Sequence, residues 1–152
     1  QALDEVKDPE IPVISLVEMG IVRTVDVDGT AIHVTITPTF SGCPALRVME
    51  QEITARLLLL GATAVSVTTT LHPAWSSDWI NDEAREKLRQ FGIAPPPKHG
   101  GRLVDVAFLE TAVCPQCGST NSTLKNSFGS TLCRMIWVCN ACQEPFEQFK
   151  PL

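Results

Sequence analysis

"IVRTVDVDGTAIHVTITPTFSGCPALRVMEQEITARLLLLGATAVSVTTTL", residues 21–71, decides the fold. Apolar and polar residues alternate over 21–27 and again over 30–37, around Asp28-Gly29, a dipeptide suited to a type I′ turn. The pattern predicts a β-hairpin. After a short polar loop, Leu46, Met49, Ile53, Leu57 and Leu60 recur at steps of three and four, and Gly61 stands at the stop position. This predicts a helix over 44–60. The β-branched run 62–71 predicts a third strand, so the strand–helix–strand order calls for a right-handed crossover with parallel outer strands. The expected class is α/β (α+β), a small βαβ-type sandwich.

Beyond residue 71, Asn81 is placed to cap a helix with Asp82 and Glu83 in its first turn, Lys87 and Arg89 later, and Gly92 at its end. Pro95, Pro96 and Pro97 forbid its continuation. The segment "APPPKHGGR", 94–102, is the densest in Pro and Gly, and the pattern changes there from α/β to cysteine-bearing β. It sets an expected boundary between an α/β domain, 1–97, and a four-cysteine zinc ribbon domain, 98–152. No internal repeat is visible beyond the paired cysteine units.

A net charge of −5 argues against a broad basic footprint for nucleic acid or anionic lipid. No apolar run approaches the roughly 20 residues that span a bilayer, and no basic-then-apolar signal opens the chain. The sequence reads as soluble and cytoplasmic, with proteins or small molecules as partners. Since position 1 is Gln and the pattern enters directly on "ALDEVKDPE", the numbering is expected to start inside a longer chain with a clipped N-terminal helix.

Four of the six cysteines, Cys114, Cys117, Cys139 and Cys142, form C-x2-C-x21-C-x2-C. Two knuckles at this spacing surround one ion, and four thiolates in a tetrahedron suit zinc, with iron chemically admissible in the same cage. A thioredoxin-like reading of "CPQC" fails, because no crossover helix follows it and a second pair lies downstream. Four protein ligands leave no open coordination position. The ion is expected to hold together a tail too small to fold by itself.

Cys133 and Cys139 would share a face of one strand, yet six residues at about 3.3 Å put them roughly 20 Å apart. Cys133 is read as a buried small side chain or, alternatively, as a second ligand for something held by Cys43. Cys43 itself precedes Pro44 at the expected helix N-terminus, where dipole and free amides favour a thiolate. The pattern alone leaves it open as nucleophile, ligand or small core residue. In a strand–helix–strand unit the loops after both strands emerge at one sheet edge, which should make His72 a neighbour of Cys43, with Thr39 and Ser41 close by. His33 falls on the polar face of its strand, His99 carries no signal, and Trp75 and Trp79 read as core plugs. Asp8 and Glu10 bracket Pro9 in what reads locally as a helix stop and turn.

Taken together, "DPEIPVISLVEMGIVRTVDVDG", "TPTFSGCPAL" and "HPAWSSDWINDEAREKLRQFGI" resemble the small α/β domain of iron–sulfur cluster assembly factors that includes SufT. In that family the D-P-E aspartate and glutamate and the G-C-P cysteine are characteristic, which points to Asp8, Glu10 and Cys43. With its ribbon tail, in which "FGSTLC" and "EPFEQFKP" are the most specific strings, the chain resembles the PaaD family of phenylacetyl-CoA epoxidase components. The resemblance implies an accessory protein of aerobic phenylacetate breakdown, apart from the ring chemistry, that matures a metal centre. It implies epoxidase subunits as partners, the iron–sulfur reductase foremost, and a transient iron–sulfur cluster or iron as cargo. One cysteine cannot enclose a cluster, which normally takes four ligands. A transfer site would be shared with a second protomer in a homodimer, with Cys133, or with the client. Two further classes stay open: a thiol enzyme with Cys43 as nucleophile and His72 as base, and a structural adapter whose cysteines serve folding alone.

Overall fold

The computed structural model describes residues 2–101 and 111–152, which group into two compact units. The first comprises residues up to Trp75 together with Trp79–Asn81; the second comprises Ser76–Asp78 and the chain from Asp82 to Leu152.

In the first unit, a 3-10 turn (Ala2–Glu5) leads through the D-P-E turn to strands β1 (Val22–Asp28) and β2 (Ala31–Ile36), helix α1 (Leu46–Leu59) and strand β3 (Ala64–Thr69). β1 and β2 are antiparallel about Gly29, whose φ of 58° fits the expected turn, and β2 and β3 are parallel. The sheet order is β1-β2-β3. Register explains the two faces: Val25, Val34 and Val67 line up on one, and Asp26, His33 and Ser66 on the other. α1 turns Met49, Ile53 and Leu57 inward, and Val34 and Ile36 are fully buried. Cover fades toward the hairpin tip, where Val27 is 66% exposed. Leu60, the last residue of the predicted apolar stripe, is also exposed because it forms the helix C-cap. At the other end of the unit, Gly20 has φ +68°, and a Cβ there would lie 2.6 Å from Cβ of Trp79. Trp79 carries Arg23 over its ring, and Trp75 is buried with its indole N–H donating to Met19 O at 3.0 Å.

The second unit holds helix α2 (Asp82–Gln90) and strands β4 (Ile93–Ala94), β5 (Ser122–Asn126), β6 (Arg134–Cys139) and β7 (Pro145–Phe149), in sheet order β4-β7-β6-β5. β5, β6 and β7 form an antiparallel ribbon, and β4 joins β7 in parallel. Residues 82–97, expected in the first domain, therefore group with the ribbon. The physical reason is local. Ile93 and Ala94 hydrogen-bond β7, while Arg85 donates to the carbonyls of Ser77 and Pro96. A two-residue strand between Gly92 and Pro95 leaves no periodicity to read. The unit's core gathers Ala94, Ala112, Met135, Trp137 and Phe146 around Cys114 and Cys139.

Candidate metal centre and transfer loop

The four-cysteine site is built from two matching turns. In the first, the Gly118 amide donates to Cys114 O at 2.9 Å; in the second, the Gln143 amide donates to Cys139 O at 2.9 Å. Each turn closes on a residue in the left-handed region, Gly118 at φ 74° and Gln143 at φ 64°. Gln143 thus takes the conformation that glycine adopts in the other knuckle, held by its side chain donating to Asn140 O at 2.8 Å. The β5–β6 pairing of Ser122 with Cys139 brings the two turns together.

The four Sγ atoms lie within 4.8 Å of one another, with Cys114 to Cys142 at 3.8 Å and Cys117 to Cys139 at 3.5 Å. A tetrahedron with metal–sulfur bonds of about 2.3 Å has edges of about 3.8 Å. The cage therefore fits one ion. Backbone amides of Cys142 and Ala141 point at Cys139 and draw its thiol down to about 6, ready to ligate. At Cys142 the Glu144 amide pulls the same way, but burial and donation to the three neighbouring thiols push it up to about 12. A bound cation would displace the thiol protons from all four cysteines.

Cys43 is placed differently. It is half-buried, its amide donates to Phe40 O at 3.0 Å, and its carbonyl accepts from Leu46 N at 3.2 Å. Ala45 is the N-cap and makes no side-chain cap bond. The thiol thus stands two residues ahead of the cap rather than on the helix terminus itself. The parallel pairing of Ile36 with Thr69 brings the loops after β2 and β3 to one sheet edge. His72 is exposed, its amide donating to Thr70 Oγ1 at 3.2 Å, and Thr39 is half-buried.

Asp8 serves the backbone: its Oδ1 accepts from the amides of Glu10 at 2.8 Å and Ile11 at 2.9 Å, which fixes the D-P-E turn. It also lines a groove of about 440 Å³ beside α1 with Pro9, Val48, Glu52, Arg56 and Leu59. Cys43, Thr39 and His72 are not among the residues lining that groove. Cys133 lies in the second unit, with its Sγ 3.0 Å from Thr131 Oγ1 and outside the four-cysteine group.

Sequence reasoning missed a polar knot in the second unit. His99 is only 8% exposed; its Nε2 donates to Leu152 O at 3.0 Å, and its amide donates to Asp78 Oδ1 at 2.9 Å. The Gly101 amide adds a second bond to the Asp78 carboxylate at 3.1 Å. Burial works against that charge, but the loop amides and His99 hold the Asp78 carboxyl below its usual range. The signal available in the sequence was Gly100-Gly101, both at positive φ, which lets consecutive amides curl around an anion. Elsewhere His33 does lie on the polar face, with Nδ1 2.7 Å from Ser66 Oγ. No helix among the described residues is long and apolar enough to cross a membrane.

Fold and site define an iron–sulfur assembly domain joined to a zinc ribbon: residues 1–69 match the family model of iron–sulfur cluster assembly proteins, and residues 105–150 match the PaaD zinc beta ribbon domain. The chain is 42% identical over 149 residues, 97% of its own length and 88% of the relative's, to the putative PaaD component of 1,2-phenylacetyl-CoA epoxidase from Escherichia coli strain K12. It belongs to the PaaD family of phenylacetyl-CoA epoxidase components. It is also 34% identical over 83 residues to the Fe–S protein maturation auxiliary factor YitW of Bacillus subtilis strain 168, covering 54% of this chain and 78% of that one. Among solved structures, a domain of unknown function from Bacillus anthracis aligns with a TM-score of 0.49 at 24% identity, over 57% of this chain and 84% of that chain.

Proposed function

We propose that this protein is a cytoplasmic accessory factor of aerobic phenylacetate breakdown that matures or delivers an iron–sulfur or other metal centre to the phenylacetyl-CoA epoxidase complex. The observation that carries the reading is the union, in one chain, of an iron–sulfur assembly module and the PaaD ribbon, with similarity along nearly the whole chain to a PaaD epoxidase component. In this reading zinc fills the Cys114, Cys117, Cys139 and Cys142 cage and keeps the ribbon folded. Cys43 is the transfer thiol, Thr39 and His72 assist it from the loops that follow β2 and β3, and Asp8 and Glu10 supply hard oxygen ligands or orient the partner. Thiolate sulfur suits iron and clusters, and a single protein thiolate suits transient holding because the remaining ligands come from the client. The iron–sulfur reductase of the complex is the client that this chemistry fits.

The test is epoxidase activity in cells carrying Cys43→Ala, with iron and sulfide counted in the purified reductase. Loss of activity together with a cluster-deficient reductase supports delivery. Loss of activity with a fully loaded reductase overturns it in favour of another centre, and full activity overturns it in favour of the adapter. The adapter reading draws support from Asp8, whose carboxylate already has a structural task in its own turn.

A further inference from the structure

We propose that the β5–β6 loop of the ribbon, residues 127–133, is the surface that docks the client protein, with Phe128 and Leu132 as anchors entering an apolar pocket rimmed by carboxylates. The inference rests on the reading above that this chain works on another component of the complex.

Phe128 is 57% exposed and Leu132 is 43% exposed, on a loop that is not loose. Phe128 N donates to Asn126 Oδ1 at 3.0 Å, and Gly129 N donates to Arg134 O at 2.8 Å. Glu147, reaching across from β7, takes the Ser130 amide at 2.8 Å, the Ser130 hydroxyl at 3.2 Å and the Arg134 guanidinium at 2.9 Å. Gly129 is required for this close approach: a Cβ there would lie 2.9 Å from Glu147 Oε1 and 3.0 Å from Cβ of Arg134. A largely buried ion pair thus holds an aromatic side chain out in water. Ordering the loop before contact removes an entropy cost that a flexible loop would incur on binding.

The charge around the loop identifies the partner's chemistry. The basic residues of 111–152 are Lys125, Arg134 and Lys150, and the acidic ones are Glu144 and Glu147, in a chain of net charge −5. Arg134 and Glu147 neutralise each other. Glu144 follows the second knuckle at the far end of β6 and β7, whereas Lys150 sits with its Nζ 4.3 Å from the Phe128 ring centroid and Lys125 stands in the β5 bulge three residues before it. Among the described residues neither lysine has a carboxylate partner, Lys150 lies over the exposed ring, and Lys125 is close to it in the chain. An apolar centre with a cationic rim on an otherwise acidic protein fits an apolar pocket with an acidic rim.

The experiment measures binding of the zinc-loaded chain to each of the other purified epoxidase components at low and high salt, for the parent, Phe128→Ala and Lys125→Glu. Both variants are surface changes, and equal metal content and unfolding curves check that they fold. Phe128→Ala is expected to weaken binding to one component about 30-fold, the scale of a buried aromatic anchor. Lys125→Glu is expected to weaken it less and to flatten its salt dependence. A parent that binds one component, with Phe128→Ala binding equally well, overturns the docking loop and leaves the functional reading standing. Salt-independent binding by the parent overturns the acidic rim, and a parent that binds no component overturns both the loop and the reading it rests on.

Discussion

The two cysteine-bearing regions follow opposite designs. At the four-cysteine site every ligand comes from this chain, both turns are locked by backbone bonds, and sulfur–sulfur distances of 3.5 and 3.8 Å already suit an ion. At Cys43 one half-buried thiol stands on a loop, Asp8 is engaged in its own turn, and His72 is exposed. The first arrangement has the geometry to enclose one metal ion with four protein ligands, which leaves no open position for chemistry. In the proposed function the second would leave most of a coordination sphere to be supplied from outside, as handing over a cargo requires.

That contrast breaks most visibly at the cage. Cys117→Ser is expected to abolish stoichiometric metal binding and unfold the ribbon while the first unit stays folded, since a structural site of this kind contributes on the order of 10 kcal/mol. Metal analysis and hydrogen exchange by unit check it; retained metal or loss of both units would contradict the division of labour. In the first unit, Gly20→Ala combines a disfavoured left-handed backbone conformation with a Cβ 2.6 Å from Trp79 Cβ, and is expected to cost about 2–3 kcal/mol in urea unfolding with no change in metal content.

Glu147→Gln sharpens the comparison by separating the ribbon's ion pair from its metal. Burial of Glu147 opposes its charge, but the Ser130 amide and hydroxyl and the Arg134 guanidinium hold its carboxyl below the usual range. Its stabilisation is therefore present above the unfolded carboxylate value, about 4.3, and is lost as pH falls through the lower folded value. The variant is expected to lose about 1–2 kcal/mol at neutral pH, discounted because the side chain is 25% exposed, and to lie closer to the parent in strong acid. Unfolding curves from pH 7 to 3 check both. The smallest expected effect on stability is that of Asp8→Asn, which keeps an acceptor for the Glu10 and Ile11 amides and should cost under about 1 kcal/mol. If Asp8 ligates a cargo, cellular epoxidase activity falls despite the intact fold; unchanged activity would confine Asp8 to its turn.

Legibility followed the range of the interactions. The hairpin, α1 and the knuckles are local patterns, and Asp28-Gly29, the three- and four-residue steps and the two C-x-x-C units announced them. Parallel pairing of β2 and β3 followed from strand–helix–strand order, and with it the shared edge of the loops that follow those strands. What escaped was long-range and polar: His99 reaching Leu152, Asp78 gathering loop amides, and β4 attaching Ile93 to Glu147. A histidine between lysine and glycine says nothing about a partner 53 residues away. The helix start differs from the expected 44 by two residues, since Pro44 marks where a helix is permitted to begin while the N-cap falls on Ala45.

The most direct test of the contrast is metal, sulfide and ultraviolet–visible absorption measured on anaerobically purified parent and Cys43→Ala protein after incubation with iron, sulfide and thiol. The account predicts one zinc per chain in both samples, with iron–sulfur absorption in the parent that the variant lacks. Equal iron–sulfur absorption in both, or zinc lost with Cys43, would contradict it.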